Sequence, residues 1–164
     1  MMMNDLGSIL PLGLKIGATL CLTCVLMIIS LVDLKTLRIP DILSLPLIAA
    51  GLTLAFAVPD VNTADHVIGA LAAYMLFAGL GEIYFRSRGI DGLGLGDAKL
   101  FAGAGAWLGW QVLPIVLLLA TAGGLIQAVL MTKANRTKPI AFGPFIALAF
   151  WCVWIWNCWG DQIV

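Results

Sequence analysis

The sequence predicts an all-α membrane helix bundle, and three observations carry that expectation. Of its 164 residues 62% are hydrophobic and only 11% charged, where a soluble domain carries about 25% charged residues; mean hydropathy is +1.04. The apolar residues fall in runs close to the roughly 20 residues a helix needs to cross about 30 Å of hydrocarbon. Nearly all Lys and Arg gather between alternate runs, the pattern of a multi-pass protein. Net charge is zero, which removes any electrostatic case for nucleic acid. No tandem repeat or low-complexity linker interrupts the chain, so residues 1–164 read as a single transmembrane domain.

Taken in order, six segments qualify or nearly qualify as helices. Leu14–Val32 follows an N-terminus without a basic region, and no small-residue cleavage site trails it; it reads as a retained helix rather than a signal peptide. Ile42–Val58 begins behind Pro40, a residue suited to a helix start. Ala64–Phe85 is the third, with His66 at its outer, interfacial end. Asp97–Gly109 is too short to span alone and rich in Gly and Ala, so it belongs inside the bundle, where small residues let helices approach. Val112–Met131 and Ile140–Trp159 complete the set, with kinks expected at Pro114 and Pro144. Trp107, Trp110, Trp151, Trp154, Trp156 and Trp159 gather toward the outer half, as aromatic belts do.

The basic residues set the orientation. Lys35, Arg38, Arg86, Arg88, Lys99, Lys133, Arg136 and Lys138 occupy three alternate connections, and only Lys15 lies on the opposite side. The positive-inside rule then places those connections in the cytoplasm and both termini outside.

Location separates the nine acidic residues. Asp5, Asp60, Asp65 and Asp161 fall in outer loops or termini and read as solvated surface; Glu82 and Asp91 flank the second basic loop and read as partners of Arg86 or Arg88. Asp33 closes the first apolar run and Asp97 opens the fourth, behind the glycine-rich "GIDGLGLGDAKLFAGAG". By the topology above, the two carboxylates meet at one depth, near the cytoplasmic face. A carboxylate within an apolar span is a functional hypothesis by default. Two at one level suit an aspartic protease dyad, in which one activates water as general base and the other donates a proton. The bland alternatives are an interfacial Asp33 paired with Lys35 or Arg38, and an Asp97 that caps its helix. Asp41, after Pro40, reads as a first-turn residue favoured by the helix dipole.

The stretches "VDLKTLRIPDILSLPLIAAGL", "GLGLGDAKLFAGAGAWLGW" and "IAFGPFIALAF" resemble, in order and spacing, the type IV prepilin peptidase family. These are polytopic aspartic proteases with a Gly-x-Gly-Asp motif. The resemblance covers about Ile29 to Ala149 and implies that Asp33 and Asp97, the latter after Gly94-Leu95-Gly96, are the catalytic pair. It implies substrates too: prepilins or pseudopilins, cut at the cytoplasmic face of the inner membrane between a short basic leader and a hydrophobic helix. Gly94 and Gly96 then give an unwound substrate room beside Asp97, and Lys99, Asp41, Gly143 and Pro144 shape the site. Many bacterial members also carry a cytoplasmic loop with paired Cys-x-x-Cys motifs and N-methylate the new terminus. Here the segment before Asp33 is one apolar helix, so the resemblance is to the peptidase core. Cys21 and Cys24 have that spacing but lie mid-membrane. Zinc would need two further ligands and deprotonated thiols, and Cys152 and Cys158 lie on the last helix. The cysteines read as small packing residues, and neither metal nor cofactor is expected. The rival class is a small ion-coupled transporter or channel using the same carboxylates. The lack of an inverted repeat, and acids at one face rather than the midplane, speak against it.

Overall fold

The computed structural model describes residues 9–59, 61–88, 94–133 and 141–160; Asp5, Asp60, Asp91, Arg136, Lys138 and Asp161 lie outside them. All regular elements among the described residues are helical: α1 (Leu12–Thr36), α2 (Asp41–Ala57), α3 (Thr63–Arg88), α4 (Leu95–Leu108), α5 (Leu113–Lys133) and α6 (Gly143–Trp159). Leu12–Thr36, Thr63–Arg86 and Leu113–Met131 are long and apolar enough to cross a membrane. Their outward residues are large and hydrophobic, Met27, Leu118 and Leu125 among them. A surface of this kind suits lipid.

The short fourth helix is the centre of the bundle, as its Gly/Ala composition implies. Every residue from Leu100 to Leu108 is buried, and α4 packs against α2, α3, α5 and α6. Packing is closest between α4 and α3. A methyl group added to Gly105 would collide with the backbone of Gly69, and one added to Gly69 would lie 2.7 Å from the Gly105 carbonyl oxygen. Helices in lipid gain little from hydrophobic association and rely on such close fit. On its other side α4 meets α2, where the Trp107 indole donates to the Leu47 carbonyl at 2.8 Å. Helices α1 and α6 form the remaining wall. Its buried residues on α1 are Lys15, Ala18, Leu22, Leu26, Ile29 and Asp33, at the three-and-four spacing of one helical face.

Several expectations need correction. Trp107 and Trp154 are core residues, 3% and 0% exposed, stacked edge to face at 5.2 Å; the Trp154 indole donates to Thr19 Oγ1 at 3.0 Å. Only Trp110 and Trp156 are well exposed. His66 is buried rather than interfacial, with Nδ1 3.0 Å from the Ala106 carbonyl. Lys15 is buried too, and its ammonium donates to the Cys158 carbonyl near the end of α6, where a cation complements the helix dipole. Pro144 sits in the first turn of α6 and Pro114 in that of α5. A missing N–H costs nothing in a first turn, so neither proline is placed to kink its helix. The interior proline is Pro46 of α2. Helix α6 starts at Gly143, not Ile140, because proline prefers a helix start. Cys21, Cys24 and Cys152 face outward; only Cys158 is packed inside.

Replacing Gly105 by alanine puts a methyl group into the Gly69 backbone. Overpacking of this kind costs about 1–3 kcal/mol, so Gly105→Ala is expected to unfold well below the wild type in detergent, measured by loss of helical circular dichroism on heating.

Candidate active site

Asp33 lies one turn before the end of α1 and is 4% exposed. Its Oδ2 accepts a 3.0 Å hydrogen bond from the backbone N–H of Gly143, the first residue of α6. The first N–H groups of a helix have no partner within it, so the N-terminus of α6 meets the carboxylate with a ready donor. A side chain at position 143 would destroy the fit: a methyl group there would lie 2.6 Å from Asp33 Oδ2 and 3.0 Å from Cγ.

Asp97 stands in the first turn of α4 and is half-buried. It does not cap the helix. Gly94 occupies the N-cap position with no side-chain cap, and its carbonyl accepts from the N–H groups of Asp97 (3.0 Å) and Ala98 (3.3 Å). Among the described residues no side chain forms an ion pair with the Asp97 carboxylate. Asp33 is buried on α1 beside the N-terminus of α6, with no ion pair to Lys35 or Arg38 among the described residues. Both residues lie where α1 ends and α4 and α6 begin, with Ile39 between Gly96, the residue before Asp97, and Gly143, which holds Asp33.

The other candidates surround them. Gly94 is open, and a methyl group there would sit 3.5 Å from Asp97 Oδ2. Gly96 lies against Ile39, where a methyl group would be 2.9 Å from its Cβ. Asp41 is in the first turn of α2, as expected, but its carboxylate does not cap; it accepts from Lys99 Nζ at 2.6 Å and so ties α2 to α4. Pro144 follows Gly143 in the first turn of α6. Glu82 pairs with Arg86 at 2.7 Å on the exposed surface of α3. Ile39 is the residue that sequence reasoning passed over: it carries no polar group, and only its place before Pro40 marked it. Among the described residues no three His, Cys, Asp or Glu side chains converge as a metal site would require.

Residues 20–129, the stretch that holds both aspartates, match the profile of the type IV leader peptidase family. The chain belongs to that family. It is 42% identical over 149 residues to a prepilin leader peptidase/N-methyltransferase of Aeromonas hydrophila, covering 89% of this chain and 50% of the relative. A Pseudomonas aeruginosa protein of the same name is 37% identical over 150 residues, 90% of this chain and 51% of its own length. One from Burkholderia pseudomallei is 39% identical over 129 residues, 77% and 42% respectively. The chain spans about half the length of these curated relatives. No solved structure matches it.

The Asp41–Lys99 pair is short, but the Asp41 side chain is 58% exposed, and exposed pairs contribute about 0.2–1 kcal/mol. A double-mutant cycle of Asp41→Asn and Lys99→Gln is therefore expected to return a coupling of about 0.5 kcal/mol that shrinks with added salt. A coupling above about 2 kcal/mol would mean that the pair is far better shielded from solvent than its exposure implies.

Proposed function

We propose that this chain is an aspartic endopeptidase of the inner membrane that removes basic leaders from type IV prepilins or pseudopilins at the cytoplasmic face. The observation that supports it best is the placement of Asp33 on α1 and Asp97 on α4 at the same end of the bundle, linked through Ile39, which lies between Gly96 and Gly143. Membership of a leader peptidase family and the names of the relatives point to the same chemistry, and nothing in them favours an ion pathway. The proposal places the chain across the membrane several times, its three basic connections inside and its termini outside.

In this mechanism the two carboxylates hold one proton between them. The ionised one takes a proton from water, and the water oxygen attacks the carbonyl carbon of the scissile peptide. The protonated one donates to the carbonyl oxygen, which stabilises the tetrahedral intermediate. When the C–N bond breaks, the newly protonated aspartate donates to the leaving amine and the other takes a proton from a hydroxyl of the tetrahedral intermediate, so the pair again shares one proton. No metal is needed, because both proton transfers and water activation fall to the aspartates. The Gly143 N–H holds the Asp33 carboxylate. The open backbone at Gly94 leaves room for an unwound substrate segment beside Asp97.

Asp33→Asn and Asp97→Asn should each abolish leader removal while leaving insertion and folding intact, whereas Asp41→Asn should keep substantial activity. Co-expression with a prepilin and a gel-mobility assay for leader loss reads all three, and processing at the wild-type rate in either dyad variant would refute the assignment. Gly143→Ala should lower the rate by about a hundredfold, the scale expected when a catalytic group is moved by about 1 Å, since the added methyl group displaces the Asp33 carboxylate.

A further inference from the structure

Ile39 has no reactive atom, yet it touches both halves of the candidate site. It is 7% exposed. On one side its backbone and Cβ lie against Gly96, the residue before Asp97; a methyl group on Gly96 would be 2.9 Å from Ile39 Cβ, 3.2 Å from its N and 3.4 Å from its O. On the other side its Cδ1 faces Gly143, where a methyl group would be 3.1 Å away. Gly143 is the residue whose N–H holds Asp33. One side chain therefore reaches from the neighbour of one carboxylate to the donor that anchors the other.

We propose that Ile39 is a positioning residue: its side chain is the spacer between Gly96 and Gly143 that sets the separation of the Asp33 and Asp97 carboxylates. The inference rests on the peptidase reading above for its catalytic consequence, though not for the spacing itself. Ile39 is built for such a role. A β-branched side chain is stiff at χ1, and the following Pro40 confines the Ile39 backbone to extended conformations. Leu37, two residues earlier, is fixed in a left-handed turn (φ 53°) whose N–H returns to the Asp33 carbonyl at 2.8 Å. Few conformers remain to the spacer. An ordinary core isoleucine would need apolar neighbours only; this one abuts the two glycine backbones that fix the reacting groups.

The test uses the full chain in lipid nanodiscs and a peptide with a basic leader ahead of an apolar helix. Ile39→Val removes only Cδ1, the contact to Gly143, and folds like the wild type. It is expected to lower kcat by about tenfold, and Ile39→Ala by about a hundredfold, with KM unchanged, on the sensitivity of catalysis to sub-ångström and 1 Å misplacement. Ile39→Leu reaches Gly143 again and should recover most of the rate. A second readout needs no catalysis: with the four cysteines replaced by alanine, Asp33→Cys and Asp97→Cys are combined and oxidised, and the rate of disulfide formation should rise severalfold in Ile39→Val as the spacer shortens. Wild-type kcat in both Ile39→Val and Ile39→Ala overturns the proposal, as does a cross-linking rate indifferent to residue 39. A wild type that cannot cleave the peptide, with cross-linking still governed by Ile39, supports the spacer and refutes the peptidase reading instead.

Discussion

Helix α4 has 14 residues, about 21 Å at 1.5 Å per residue, and so cannot take its position from the thickness of a bilayer. It takes it from backbone contact at its two ends. Gly105 lies against Gly69 of α3 at one end, and Gly96 lies against Ile39 in the α1–α2 connection at the other. A helix held at both ends has little freedom to slide or rotate, since either motion drives backbone into backbone. The height of Asp97 in the bundle follows from those two contacts. The small residues of α4 matter because they make this fit possible, and the apolar groups they lack are supplied by Leu47, Trp107, Phe101 and Phe77 around them.

The buried polar groups obey a second constraint, that an unpaired one inside an apolar bundle costs several kcal/mol. Among the described residues, three of the four buried polar or charged side chains are met by backbone groups near helix ends, and Ser44 is the exception. Lys15 donates to a carbonyl near the end of α6, His66 contacts one near the end of α4, and Asp33 accepts from the first N–H of α6. Helix ends are where backbone donors and acceptors are left over, so placing side chains there satisfies two needs at once. Helix α6 is used at both ends, by a cation at its C-terminus and a carboxylate at its N-terminus, in the sense its dipole favours. The same pairings fix α1 against α6, and with it the depth of Asp33.

How much of this was legible in the sequence differs from element to element. The six helices could be read because apolar runs of the required length leave few alternatives, and Asp33 and Asp97 stood out because a carboxylate in such a run is costly. The partner of Asp33 could not be, because a Gly143 N–H carries no side-chain signal; only its place in "FGP" hinted at it. Trp107, Trp154 and His66 misled for a related reason. Each has an apolar body and a polar edge, which suits an interface and suits a core equally well once a carbonyl or hydroxyl stands opposite the edge. That partner is a tertiary fact. Pro144 was misread because the start of its helix was placed three residues early, and a first-turn proline then looks like an interior one.

The α1–α2 connection links the end of α1 to the starts of α4 and α6. Only four residues, Leu37 to Pro40, lead from one helix to the next, and Leu37 adopts a left-handed conformation that costs a non-glycine residue about 1–2 kcal/mol. Such a conformer persists only where its surroundings over-determine it. Here they do: the Leu37 N–H closes back on Asp33, Thr36 Oγ1 donates to the Arg38 carbonyl at 3.1 Å, and the Pro40 carbonyl accepts from Leu43 and Ser44 to begin α2. The turn folds Ile39 back under the bundle, between the N-termini of α4 and α6. A longer or looser connection would avoid the strain but would also let Ile39 leave its place. The strained residue is thus what allows one short loop to link the carboxylate at the end of α1 to the two helix starts that face it.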